Sequence, residues 1–358
     1  MNDARTFRAP GRVNLIGEHT DYNLGFVLPI ALNLDTRVRT TPASDGMLRL
    51  HSAAHNETRT WPTAEIASLT PHSHWSDYVI GVAQQLLARG FGIPPLNLHI
   101  ESTVPEGAGL SSSAALEVAS ALALLQGRAL DRLEIARLCQ HAESEFVGMP
   151  CGIMDQYCSL FGCDHAALRI DCRSLEAEAV PLPDSVAIIA VNSMVKHSLG
   201  QSAYRTRVAE CAEACRAAGV TSLRDATLDQ VRDNKRARHV VTENQRVQDF
   251  VEAARGGDAA RMGGLFVESH RSMRDDYEIS CEEIDFLVDT AVGLPGCFGA
   301  RMTGGGFGGC TVNLVAPEAA PAFTEAIRRS YREAMGRDPQ IFVCVPAPGA
   351  DEIGGSFF

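Results

Sequence analysis

The stretch Pro105-Glu106-Gly107-Ala108-Gly109-Leu110-Ser111-Ser112-Ser113-Ala114-Ala115 opens straight into an apolar run ending near Leu125. No other segment narrows the fold as much. Glycines let a backbone turn with its N–H groups exposed, and serines can cap the following helix or add donors. A helix N-terminus carries roughly half a positive charge, so the segment reads as a phosphate-suited anion site heading a central helix. It lacks the Gly-Lys-[Ser/Thr] of a Walker loop and the third glycine of the dinucleotide fingerprint. Without a lysine in the loop, the phosphates need a cation from elsewhere. A hydroxyl and a carboxylate are hard oxygen ligands suited to Mg²⁺. Ser113 supplies the first, and Glu143 or Glu145 on the next helical stretch the second.

Two further segments carry chemistry. Gly11-Arg12-Val13-Asn14-Leu15-Ile16-Gly17-Glu18-His19-Thr20-Asp21-Tyr22-Asn23 crowds a cation, two carboxylates and one imidazole behind a β-type run. Carboxylates accept from pairs of sugar hydroxyls and His donates or accepts, so this is a polyol-recognising cluster rather than a metal cluster. Arg301-Met302-Thr303-Gly304-Gly305-Gly306-Phe307-Gly308-Gly309-Cys310 allows close approach of backbone to a ligand or another loop. Separately, Asp155 in Cys151-Gly152-Ile153-Met154-Asp155-Gln156 lies among small and apolar residues, where an unpaired carboxylate is costly. A paired or catalytic role follows.

Short β-type runs (13–16, 47–51, 96–102, 167–171, 186–191, 310–315 and 341–345) alternate with helical patterns without a regular βαβ rhythm. Helices are expected at 75–87, 112–125, 133–146, 202–217, 245–255, 258–274, 282–292 and 318–335. The mixture predicts an α+β protein. Pro181-Leu182-Pro183-Asp184 predicts a boundary between domains 1–183 and 184–358, the second holding the glycine-rich loop 303–309. The glycine-containing tail after Pro346 reads as loose.

A net charge of −12 gives no footprint for non-specific nucleic-acid or membrane-surface binding. The N-terminal residues have no signal-peptide character, no stretch of about 18 apolar residues occurs, and the 11 cysteines contain no Cys-x-x-Cys pair. These features predict a cytoplasmic protein with reduced thiols and no membrane or obligate protein partner.

The three motifs together resemble the superfamily of galactokinase, homoserine kinase, mevalonate kinase and phosphomevalonate kinase. Glu18-His19-Thr20-Asp21-Tyr22 resembles the galactokinase branch, and the likeness runs from about Arg8 to Val345. The resemblance implies a two-domain GHMP-kinase fold with mixed and antiparallel sheets and ATP bound between the domains. It implies Mg²⁺-dependent transfer of phosphate from ATP to the C1 hydroxyl of α-D-galactose. By position, Arg12 and Asp155 match the family's catalytic pair, and Glu18, His19, Asp21, Gly152 and Tyr204 its sugar contacts. Gly107, Ala108, Gly109, Leu110, Ser111, Ser112 and Ser113 match the ATP phosphate loop, with Ser113 and Glu143 at the metal positions. Trp75 matches an aromatic near the adenine. Leu24 and Ala203 depart from the family pattern beside sugar contacts. A kinase for N-acetylgalactosamine or L-arabinose, or a non-catalytic galactose and ATP sensor, are the alternatives on the same scaffold.

Overall fold

A computed structural model gives the fold of residues 4–196 and 200–354, with the backbone alone described at 196, 200 and 201. The chain opens with β1 (Arg5–Asn14), β2 (Phe26–Val27), β3 (Pro29–Pro42), β4 (Met47–Ser52) and β5 (Glu57–Pro62). Then come α1 (Ser76–Ala88), β6 (Leu96–Ser102), α2 (Ser112–Leu125), α3 (Arg132–His141) and α4 (Met154–Phe161). After β7 (Ala166–Asp171) and β8 (Ala177–Pro181), β9 (Ala187–Lys196) begins a second sheet. It is followed by α5 (Gly200–Ala218), α6 (Leu228–Val231), α7 (Lys235–Arg255), α8 (Ala259–Ser272) and α9 (Glu282–Val292). Finally come β10 (Cys297–Thr303), β11 (Gly308–Val315), α10 (Ala320–Met335), β12 (Gln340–Cys344) and β13 (Asp351–Ile353).

The first sheet has the order β13-β1-β3-β6-β4-β5, mixed because β4 runs parallel to β6. A four-stranded antiparallel sheet, β10-β11-β9-β12, forms the second half, and β2-β7-β8 is a small third sheet. The α+β expectation therefore holds; the turn between β8 and β9 separates the strands of the two large sheets except for β13, which returns from the end of the chain to the first sheet.

Helix α2 is the pivot. Ala114, Ala115, Val118, Ala119, Ala121, Ala123 and Leu124 are all buried, so both broad faces of the helix are covered. Such a helix belongs in the core, and its small side chains let β1, β3, α1 and α4 pack around it. A second core joins Val13, Leu15 and Leu110 to Val247, Phe250 and Phe266 of α7 and α8 and to Cys310 and Val312 of β11. This core ties the signature strand, the phosphate loop and the second sheet together.

Several features depart from the sequence reading, three of them in helix ends and the chain's tail. The helix expected over 133–146 ends at His141 and continues as a π-helical turn over Ala142–Val147. The helix expected from Gln245 begins ten residues earlier, at Lys235, because the side chain of Asn234 caps it by accepting from the Ala237 N–H. The tail after Pro346 is fixed rather than loose. Ala347 N–H donates to the Ala31 carbonyl (3.0 Å), Gly349 N–H to Gly162 (2.9 Å) and Ala350 N–H to Ser159 (2.8 Å). Strand β13 then pairs with β1. Glycine here serves close approach: a Cβ on Gly349 would lie 2.0 Å from the Leu160 carbonyl oxygen. The terminal Ser356-Phe357-Phe358 lie outside the described residues.

Candidate active site

Arg12 sits just past an irregularity in the β1–β3 pairing, between Pro10 and Arg12. Its backbone N–H donates to the Leu110 carbonyl (3.0 Å), tying the strand to the glycine/serine loop. The buried guanidinium donates from Nε and Nη2 to the two oxygens of Asp155 (2.8 and 2.7 Å) and from Nη1 to the Gly109 carbonyl (2.7 Å). Asp155 stands in the first turn of α4, where the helix dipole favours negative charge. The Ser111 hydroxyl also donates to Asp155. The expected partner of this isolated carboxylate is thus found, and a two-pronged ion pair of this kind fixes the orientation of both groups.

The serine cap expected on α2 is not made. Ser111 at the N-cap adopts a left-handed conformation (φ 59°, ψ 48°) and makes no side-chain cap bond, because its hydroxyl is turned onto Asp155. The first N–H groups of α2 are therefore not capped by the Ser111 side chain. They open beside a cavity of about 450 Å³ lined by Arg12, Asp155, Ser112, Ser113, Glu143 and the glycine-rich loop. That loop closes on the phosphate loop, since a Cβ on Gly304 would lie 3.4 Å from Gly109. A neighbouring cavity of about 640 Å³ shares Tyr78, Gly107, Ser112 and Ser113 with the first and carries Trp75 on its wall. The Trp75 indole N–H donates to Glu57 (3.2 Å), and its ring stacks parallel to His55.

Glu143 projects from the π-helical turn and lines the cavity with Ser113. Burial, reinforced by the charge of Asp155, pushes its carboxyl up to about 7. Gln156 Nε2 bridges Glu143 (2.7 Å) and Glu117 (3.0 Å). Glu117 is fully buried, and burial together with Glu143 holds it well above the usual carboxylate range. Sequence reasoning missed Glu117 and Gln156; a lone carboxylate in the otherwise apolar α2 was the available signal. Glu145 lies away from the cavity, exposed and bonded to Gln85.

In the signature cluster Glu18, His19 and Thr20 are buried, and Asp21 and Tyr22 are half-buried. Glu18 Oε1 accepts from Thr303 Oγ1 (2.9 Å) and the Gly304 N–H (2.9 Å), with Arg301 at 3.4 Å. One oxygen of this residue is therefore turned to the glycine-rich loop. Arg301 is fully buried and also donates to the carbonyls of Asn14 and Leu15. Its structural part was not read from the sequence. Asp21 packs against Gly152 so tightly that a Cβ there would meet its Oδ2 at 2.0 Å. Burial, with the nearby charge of Asp155, pushes Asp21 up to about 7. His19 lies between Tyr204 and Tyr277, with ring centroids 5.2 and 4.8 Å away. Burial pulls it down to about 3, and its Nε2 has no hydrogen-bond partner among the described residues.

These features define a kinase of the GHMP class: a glycine/serine loop heading a buried helix, closed by a second glycine-rich loop from the other half. Family models for the GHMP kinases N terminal domain and GHMP kinases C terminal match residues 77–163 and 250–333. A third, for the galactokinase galactose-binding signature, matches residues 2–42. Galactokinase from Roseiflexus sp. is 44% identical over 97% of this chain and 92% of its own length. The human galactokinase is 48% identical over 90% of this chain and 86% of its own. The structure of Lactococcus lactis galactokinase complexed with galactose superposes with a TM-score of 0.93 at 33% identity, covering 98% of this chain and 95% of that one. A mevalonate kinase from Methanococcus jannaschii, at 19% identity and a TM-score of 0.72, shares the fold. The chain belongs to the galactokinase family.

Proposed function

We propose that the protein transfers the γ-phosphate of ATP to the anomeric hydroxyl of galactose. The bidentate Arg12–Asp155 pair beside the phosphate loop is the observation that carries this reading. The sugar C1 oxygen attacks the γ-phosphorus in line, the bond to the β,γ-bridging oxygen breaks, and ADP leaves. The hydroxyl proton passes to an oxygen of Asp155. Phosphoryl transfer needs positioning and electrostatic stabilisation more than covalent chemistry, and Arg12 is placed to donate to the phosphoryl oxygens. Free N–H groups at the start of α2, with Gly107 to Ser113, hold the phosphates, and Trp75 borders the purine end.

Glu18, His19, Asp21, Gly152 and Tyr204 form the sugar-binding side. Asp21, backed by Gly152, presents acceptors to hydroxyls, and the open Nε2 of His19 supplies a further polar contact. Ser113 and Glu143 are an oxygen-donor pair on the cavity wall, and Mg²⁺ bound to a nucleotide needs only one or two protein ligands beside the phosphates. These two residues would hold Mg²⁺, which when bound neutralises phosphate charge. The eleven cysteines all stand free and among the described residues no helix is long and apolar enough to cross a membrane, which supports a cytoplasmic location.

The test is Mg²⁺-dependent ADP release with galactose, N-acetylgalactosamine, L-arabinose, glucose and mevalonate in parallel, against a no-acceptor control. Strong release with galactose alone is expected. Release only with another sugar keeps the chemistry and moves the specificity to Leu24 and Ala203. Absence of release with every acceptor, while galactose binds, refutes the enzymatic reading in favour of a sensor.

A further inference from the structure

We propose that Cys211, Tyr277 and Tyr22 form a one-way hydrogen-bond chain that fixes His19 as its Nε2–H tautomer, making it a donor toward the sugar. The contact with sugar rests on the site reading above; the chain itself does not. Three bonds run in series. Cys211 Sγ lies 3.0 Å from Tyr277 Oη, Tyr277 Oη lies 2.7 Å from Tyr22 Oη, and Tyr22 Oη lies 2.8 Å from His19 Nδ1. Cys211 and Tyr277 are buried, so water does not compete along most of the chain. His19 is itself pinned, with φ 61° and its carbonyl held by Asn23 Nδ2 at 2.8 Å.

Because burial keeps the imidazole neutral, it has one N–H to place, and only two directions of the chain keep every phenol O–H paired. In the first, Cys211 S–H donates to Tyr277, Tyr277 to Tyr22, and Tyr22 to His19 Nδ1, leaving the hydrogen on Nε2. In the second, Nδ1–H donates to Tyr22, Tyr22 to Tyr277, and Tyr277 to the Cys211 sulfur, leaving Nε2 as an acceptor. Sulfur is a weak acceptor, whereas an unprotonated imidazole nitrogen is a strong one. The first direction gives every phenol O–H an oxygen or nitrogen acceptor; the second spends one on sulfur. Tyr22 and Tyr277 are thus positioning residues, and the sugar hydroxyl that meets His19 must be an acceptor.

The experiment uses the full chain with ¹⁵N-labelled histidine, its His19 signals identified by their loss in His19→Asn. A long-range ¹H–¹⁵N spectrum without sugar should show His19 protonated at Nε2. Protonation at Nδ1 overturns the proposal. In Tyr22→Phe the ring should become a mixture of tautomers, and KM for galactose should rise roughly tenfold, the weight of one hydrogen bond, with kcat nearly unchanged. An unaltered tautomer and KM in that variant refute the chain. For the sugar contact, singly deoxygenated galactoses are compared with their fluorinated counterparts, since fluorine accepts but cannot donate. At the position facing His19 the fluorosugar should outbind the deoxysugar. An Nε2-protonated His19 whose signals stay unmoved by galactose leaves the chain standing and overturns the sugar contact alone.

Discussion

Replacing Gly152 with alanine tests the sugar side of the site through one methyl group. The backbone at Gly152 is outside the left-handed region, so the added Cβ costs nothing in conformation and everything comes from its neighbours. It would lie 2.0 Å from Asp21 Oδ2, 2.4 Å from Cγ and 2.8 Å from Cβ. To reach ordinary contact the carboxylate must retreat by about 1.4 Å, away from the position in which it would meet galactose. Misplacing a substrate-positioning group by about 1 Å costs on the order of 100-fold, which is about 2.7 kcal/mol of transition-state stabilisation. Overpacking should also lower folding stability by about 1–3 kcal/mol, so the assay pairs thermal melting with steady-state ADP release at varied galactose and varied ATP. The expected result is a folded variant whose kcat/KM for galactose falls about 100-fold while KM for ATP is unchanged. A folded Gly152→Ala enzyme with wild-type kcat/KM would show that Asp21 does not touch the sugar.

Other perturbations separate chemistry from scaffolding. Asp155→Asn should lower kcat by about 10³-fold with ATP affinity retained in a binding titration; near-wild-type turnover removes Asp155 from the proton transfer. Arg301→Ala takes away the cation in direct contact with the buried Glu18 and should destabilise the fold by about 3–5 kcal/mol in urea unfolding; a loss below about 1 kcal/mol would mean the pair is dispensable. His239 donates and accepts between the Glu18 carbonyl and Ser272, and burial holds it down to about 4. The unfolded state therefore takes up the proton first, and the stability this group contributes is present above pH ~6.5 and is lost as pH falls toward 4. Asp21 and Glu143, both raised to about 7, act in the opposite sense, so the bare pH profile is not diagnostic. The wild-type advantage over His239→Gln should instead grow by about 1.4 kcal/mol per pH unit across that window, and a constant difference would contradict a neutral buried imidazole.

Much of this was readable before any coordinates. Helices α2 and α9 and strand β6 match their expected bounds because their apolar periods stop at plain signals. Strand β10 was missed because it carries Gly299 and the fully buried Arg301, and only pairing with β11 and the charge of Glu18 make such a sequence a strand. The residues by themselves offered Arg12, Asp155 and the phosphate loop as separate candidates, and only the family resemblance paired Arg12 with Asp155; their meeting depends on the irregularity near Pro10 and on α4. The His19 chain had no local signal. Tyr22 and Tyr277 lie 255 positions apart, and no periodicity links them. The loose-tail reading failed because glycine content alone does not distinguish freedom from close packing, and Gly349 serves the latter.

The pairing of β13 with β1 also bears on how the chain is made. During synthesis the edge of β1 emerges first, yet its partner at Asp351–Ile353 arrives only after both halves have been translated. Until then that edge offers unpaired backbone groups, a template for pairing with another nascent chain. Cutting the chain before β13 would leave this exposure permanent. Aggregation on overexpression, more than loss of turnover, is the phenotype to expect from such a truncation.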